Sequence, residues 1–217
     1  MEKNDLEIDN LPNRITFFRI LMIPVVVLAL YFVEDSPTWL MPYKDYLGHI
    51  ACWVFVVASI TDFLDGYIAR KRNIVTVFGS FLDPIADKFL VVSSLIMLLS
   101  LDRVNSIIVI VLVLREMYMT SLRLLAMGEG VNVPVSEMGK WKTGTQMVAT
   151  PMLMVYDEAY LGYFDLPLIG MALMYVSAFL SLWSALTYSL SMIGKLREKR
   201  AEKKKIKQLS KAHKDPV

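Results

Sequence analysis

Six long apolar stretches separated by short polar segments set the pattern of this 217-residue chain. They fall at residues 14–33, 47–69, 79–101, 105–127, 144–163 and 166–194. Each is close to the roughly 20 residues that a helix needs to cross the hydrocarbon core of a bilayer. A polar turn around Asp102, Arg103 and Asn105 separates the third from the fourth, and Asp165 with Pro167 marks the fifth break. No stretch alternates with the period of a strand, and there is no internal repeat. The pattern predicts an all-α, polytopic membrane protein of six transmembrane helices. Residues 1–194 read as one membrane domain and 195–217 as a basic cytosolic tail.

The short connections set the orientation. Arg70, Lys71 and Arg72 follow the second stretch, Lys140 and Lys142 follow the fourth, and the tail follows the sixth. The other connections carry Glu34, Asp35, Lys44 and Asp45 after the first stretch, and Asp157, Glu158 and Asp165 after the fifth. Lys and Arg collect on the cytosolic side of membrane proteins, so both termini are expected there, in the cytoplasmic membrane. The opening MEKNDLEIDNLPNRITFFRI has an acidic lead and no small-residue cleavage site, which does not fit a secretory signal.

Composition supports this picture and narrows the chemistry. The chain is 55% hydrophobic with a mean hydropathy of +0.47, too apolar for an ordinary soluble domain. The net charge of +2 hides an asymmetry. Residues 195–217 carry ten Lys and Arg against three Asp and Glu, and residues 1–194 carry thirteen against eighteen. With Cys52 the single cysteine and His49 and His213 the only histidines, neither a disulfide nor a thiolate or imidazole metal site is expected. A nucleic-acid partner is not expected either.

Against this background, DFLDGYIARKRNIVTVFGSFLDPIAD, residues 62–87, stands out. Asp62 and Asp65 are three apart near the cytosolic end of the second stretch, with Gly66 and Ala69 each four residues beyond them. Gly79, Asp83 and Asp87 recur at four-residue intervals on the third. These spacings place each set on one helical face. At 1.5 Å per residue, the outer carboxylates sit about 12 Å from the intervening loop, so the four acids are expected at similar depth and facing one another. Carboxylates so close repel unless cations neutralise them. An all-oxygen set favours Mg²⁺, then Mn²⁺ or Ca²⁺, and four acids suffice for two ions of the kind that assist phosphoryl displacement. Arg70 at the rim suits a phosphate. Taken singly, each feature also fits helix packing or topology.

The full spacing, Asp62-x2-Asp65-Gly66-x2-Ala69-Arg70-x8-Gly79-x3-Asp83-x3-Asp87, resembles the complete signature of the CDP-alcohol phosphotransferase family. The resemblance implies a homodimeric, multi-spanning membrane enzyme with a cytosol-facing polar cavity and divalent metal. Such an enzyme transfers a substituted phosphoryl group from a CDP-alcohol to a second alcohol and releases CMP. It further implies that Asp62, Asp65 and Asp83 are metal ligands, and that Asp87 is the general base and also touches a metal. Gly66, Ala69, Arg70 and Gly79 would line the CDP site.

Other stretches bear on the acceptor. NRITFFR places Asn13, Thr16 and Arg19 on one face of the first helix. REMYMTSLR puts Arg115, Glu116 and Arg123 inside an apolar stretch, and GKWKTGTQMVA carries Lys140, Lys142 and Thr143 in the next loop. These stretches resemble the bacterial, phosphatidylglycerophosphate-forming branch of the family. The resemblance implies CDP-diacylglycerol as donor and sn-glycerol 3-phosphate as acceptor, and adds Asn13, Thr16 and Arg19 to the CDP site. Independently, an anionic acceptor needs cations, and Arg115, Arg123, Lys140 and Lys142 are the available set. The competing reading is that these charges neutralise one another or fix topology. Alternatives for the whole chain are another acceptor (inositol phosphate, serine or phosphatidylglycerol), a carboxylate-lined cation transporter, or a membrane scaffold. The tail is read as a lipid-attracting segment or as a disordered topology anchor.

Overall fold

The computed structural model describes the backbone of residues 11–72, 77–130, 137–155, 160–161 and 164–212. Side chains are described for these residues except 11–15, 45, 62–72, 77–84, 87, 160–161, 164, 202–203 and 205–212. Six α-helices are present among them: α1 (Leu11–Glu34), α2 (Lys44–Arg72), α3 (Val77–Ser100), α4 (Ser106–Gly128), α5 (Glu137–Met154) and α6 (Leu166–Ala212). A 3-10 turn, Met41–Tyr43, leads into α2. Two of the helices, over Thr16–Glu34 and Leu166–Ala201, are long and apolar enough to cross a membrane. Large apolar side chains such as Trp53, Ile107 and Leu190 lie exposed, whereas Thr150, Ser177, Ser181 and Ser184 are buried. Apolar outside and small polar inside is the distribution that suits a lipid solvent, and the chain is a membrane protein.

The α3–α4 connection follows directly from its residues. Asp102 adopts the left-handed conformation, with φ 56°. The N–H of Arg103 reaches the carbonyl of Leu98 at 2.9 Å, and that of Asp102 the carbonyl of Leu99 at 3.0 Å. This pair of bonds satisfies the last carbonyls of α3. Asn105 then caps α4, its Oδ1 accepting from the N–H of Ile107 at 2.9 Å.

The fifth and sixth stretches need correction. The helix expected over 144–163 is α5, which begins at Glu137 and ends at Met154. Lys140 and Lys142 are therefore helical residues, not loop residues. Hydropathy misses the first two turns because GKWKTG is polar and carries two glycines, which are poor helix formers, although Glu137 suits an N-terminus. The helix stops where Arg103, itself buried, donates from Nη1 to the carbonyls of Leu153 (3.2 Å) and Met154 (2.8 Å). Beyond it lies a two-residue antiparallel ladder pairing Tyr160 with Asp165 and Leu161 with Phe164, the one strand pairing among the described residues. Residues 195–212 of the tail are helical: α6 continues unbroken through Lys195 to Ala212.

The chain forms two compact units. In the first, residues 1–109 and 144–175, α1 packs along both α2 and α3. The buried positions of α1 (Thr16, Arg19, Val26, Leu30 and Val33) fall on one face, and Ala51, Phe55 and Ala58 of α2 and Ala86 and Leu90 of α3 are buried as well. In the second, residues 110–143 and 176–217, Met119 and Ala126 of α4 pack on Ala185, Tyr188 and Met192 of α6.

Candidate active site

Residues 62–70 are helical in α2 and residues 79–87 in α3. The i,i+3 register of Asp62 and Asp65 and the i,i+4 register of Asp83 and Asp87 therefore hold. The side chains of Asp62, Asp65, Ala69, Arg70, Asp83, Asp87 and Asn13, and the surroundings of Gly66 and Gly79, lie outside the described residues. So does the expected convergence of the four carboxylates. No group of three His, Cys, Asp or Glu suited to a metal occurs among the described residues.

What is described is the helix that covers this pair. Thr16 is 1% and Arg19 0% exposed, both on the face that α1 turns toward α2 and α3. A guanidinium is rarely buried this fully without a polar reason. Their three-residue interval, continued through the apolar core of α1, is the sequence signal for that placement.

The second unit brings together a different set. Glu116 Oε2 accepts from Lys142 Nζ at 2.8 Å and from Arg115 Nη1 at 3.2 Å. Arg115 is held from its other side by α6, donating from Nε to the Ser181 carbonyl at 3.2 Å and from Nη2 to Ser184 Oγ at 2.7 Å. Ser177 Oγ donates to the backbone carbonyl of Lys142 at 3.2 Å. Of the four cations expected for an acceptor, Arg115 and Lys142 are thus buried in one network. Arg123 is exposed two turns further along α4, and Lys140 is exposed with its Nζ 2.7 Å from Glu137. Neither makes a hydrogen bond or ion pair to the network among the described residues.

Sequence reasoning missed the part played by Ser177, Ser181 and Ser184. Their i, i+4, i+7 spacing inside an apolar run is the signal that marks a buried polar stripe. It also missed Glu116 as a bridge between two helices, because its partner lies 26 positions away.

Comparison with known proteins adds a further line. Residues 9–183 match the family described as CDP-alcohol phosphatidyltransferase. The chain is similar to the CDP-diacylglycerol–glycerol-3-phosphate 3-phosphatidyltransferase of Rickettsia felis, 40% identical over 179 residues, covering 82% of this chain and 93% of that protein. It is likewise similar to the proteins so named from Haemophilus influenzae (36% over 184 residues; 82% and 91%) and Bacillus subtilis (41% over 150 residues; 68% and 78%). With its aspartate signature complete and most of its length matched, the chain belongs to the CDP-alcohol phosphatidyltransferase family.

Proposed function

We infer that this protein is a membrane enzyme that transfers the phosphatidyl group of CDP-diacylglycerol to sn-glycerol 3-phosphate, giving phosphatidylglycerophosphate and CMP. The observation that carries the substrate pair is the similarity, over most of both chains, to relatives named for that reaction.

The acceptor's hydroxyl oxygen attacks the phosphorus that carries the diacylglycerol. The bond from that phosphorus to the bridging diphosphate oxygen breaks, and CMP leaves with the electron pair. Asp87 takes the hydroxyl proton, a role suited to a carboxylate within a hydrogen-bonding reach of the acceptor. Gly66, Ala69, Arg70 and Gly79, with Asn13, Thr16 and Arg19 from α1, hold the CDP moiety. The full burial of Thr16 and Arg19 on the face that meets α2 and α3 supports that assignment. Lys142 and Arg115 receive the acceptor phosphate, with Arg123 and Lys140 contributing at longer range.

Members of the family generally use divalent metal ions. The donor set here fits them: Asp62, Asp65, Asp83 and Asp87 offer oxygen alone, the chemistry of a Mg²⁺ or Mn²⁺ site. These residues would hold two ions, which would supply positive charge to offset that of the diphosphate. The rest of the rate enhancement is positioning and electrostatics from the chain's own residues.

We place the six helices as six spans with both termini and the site on the cytosolic side of the cytoplasmic membrane, which the Lys and Arg bias of the connections supports. A homodimer is proposed on the family resemblance. The test is CMP release by purified protein given CDP-diacylglycerol and a panel of acceptors. Release is expected with sn-glycerol 3-phosphate. Release only with serine, inositol phosphate or phosphatidylglycerol would overturn the assignment.

A further inference from the structure

In the network of α4, α5 and α6, the side chains of Arg115 and Lys142 are 7% and 6% exposed, whereas that of Glu116 is 28% exposed. The carboxylate is the outward member and the two cations lie behind it. Both cations converge on a single oxygen, Glu116 Oε2. Convergence of a guanidinium and an ammonium on one anionic oxygen is also how proteins receive a phosphate. The Arg115 guanidinium and the backbone at Lys142 have anchors other than Glu116. Arg115 is fixed to α6 through the Ser181 carbonyl and Ser184 Oγ, and the backbone at Lys142 is fixed by Ser177 Oγ.

We propose that the Glu116 carboxylate is an internal stand-in for the acceptor's phosphate. It occupies the anion position between Lys142 and Arg115 in the free enzyme and yields it when sn-glycerol 3-phosphate binds. This deepens the substrate assignment above and rests on it. Two buried cations with no anion between them are strongly unfavourable, so a carboxylate at this point stabilises the substrate-free state. It also sets a threshold for entry. A phosphate dianion offers two charges and three acceptor oxygens against the single charge of Glu116, whereas a neutral alcohol offers nothing that can displace it. The acceptor's apparent affinity is lowered by the competition, and selectivity for a phosphorylated alcohol is the gain.

The test is isothermal titration of the full-length protein in detergent with sn-glycerol 3-phosphate, for wild type and Glu116→Gln. The amide keeps the shape and removes the charge. Glu116→Gln is expected to bind sn-glycerol 3-phosphate roughly threefold to tenfold more tightly. Its melting temperature without anions should be lower than that of wild type, and its rise on saturation larger. Inorganic phosphate should act in the same direction, and glycerol should shift neither protein. If Glu116→Gln does not fold, Glu116→Asp, whose carboxylate is drawn back by one methylene, is expected to bind more tightly by a smaller factor. Equal or weaker binding by the folded variant would overturn the stand-in. Wild type that turns over sn-glycerol 3-phosphate while the variant binds it no better removes this inference alone. Wild type that neither binds it nor releases CMP removes the substrate assignment and this inference with it.

Discussion

The ammonium of Lys199, on the polar extension of α6, donates to the backbone carbonyl of Glu129 at 2.6 Å, just beyond the end of α4, and to that of Gly130 at 2.8 Å. Gly130 stands in the left-handed conformation, φ 62°, and turns the chain out of the helix. A cation here meets carbonyls left unsatisfied at a helix C-terminus and complements the negative end of its dipole. The basic tail is therefore attached to the second unit by a specific contact. Lys199→Ala is expected to destabilise the protein by about 1 kcal/mol, lowering the melting temperature in detergent by about 2–4 °C. Truncation after Arg200 keeps Lys199 and should preserve kcat. A truncated protein that is folded but inactive in detergent would show that the residues beyond 200 serve the chemistry.

Activity should require Mg²⁺ or Mn²⁺ and disappear with excess chelator, since the proposed oxygen-only donor set calls for a hard cation. Asp62→Asn should raise the metal concentration needed for half-maximal rate. Full turnover in excess EDTA would sink the metal assignment.

Asp87→Asn removes the proposed proton acceptor but preserves side-chain shape. Its kcat should fall by about 10²-fold or more while CDP-diacylglycerol binding persists. A variant running at the wild-type rate would return Asp87 to a supporting place.

Lys142 and Lys140 are two positions apart on α5, so about 200° of helical rotation separates them. One is buried against Glu116, and the other is exposed beside Glu137. Lys142→Ala is expected to raise the KM for sn-glycerol 3-phosphate about tenfold and that for CDP-diacylglycerol much less, through loss of a charge-assisted contact made only to the acceptor. Lys140→Ala should change the acceptor KM by no more than about twofold. Equal effects of the two substitutions would dissolve the distinction.

That pair of lysines also shows where sequence reading stops. Two lysines in one polar run look equivalent until the helix that carries them is known, and the first turns of α5 were missed because they are polar. The same blindness applies to Glu116 and Arg103, whose partners come from distant segments. Other features were legible because their signals are local. Long apolar runs located all six helices to within a few residues, apart from α5 and the extension of α6. Asp102 and Asn105 marked the α3–α4 turn because short polar side chains suit a left-handed residue and an N-cap. The aspartate signature was legible as a register along α2 and α3, since spacing alone fixes which residues share a helical face. The serines of α6 escaped notice because a hydroxyl barely interrupts an apolar run, although three in one stripe form a buried polar seam.

A final prediction concerns stability at a backbone contact in the first unit. A Cβ added at Gly48 on α2 would lie 2.7 Å from the carbonyl oxygen of Met154, the same oxygen that accepts from Arg103 Nη1 at 2.8 Å. The end of α5 is thus held between a side-chain donor and a glycine that admits the close approach. Gly48→Ala must push these backbones apart or weaken the Arg103 bond, and is expected to cost about 1–3 kcal/mol. Gly144 on α5 has nothing within 4 Å of its virtual Cβ. There the same substitution should be neutral or stabilise by up to about 1 kcal/mol, as alanine is the better helix former. Thermal unfolding of both variants in one detergent checks the contrast. If Gly48→Ala melts as high as Gly144→Ala, the α2–α5 approach is not as close as described.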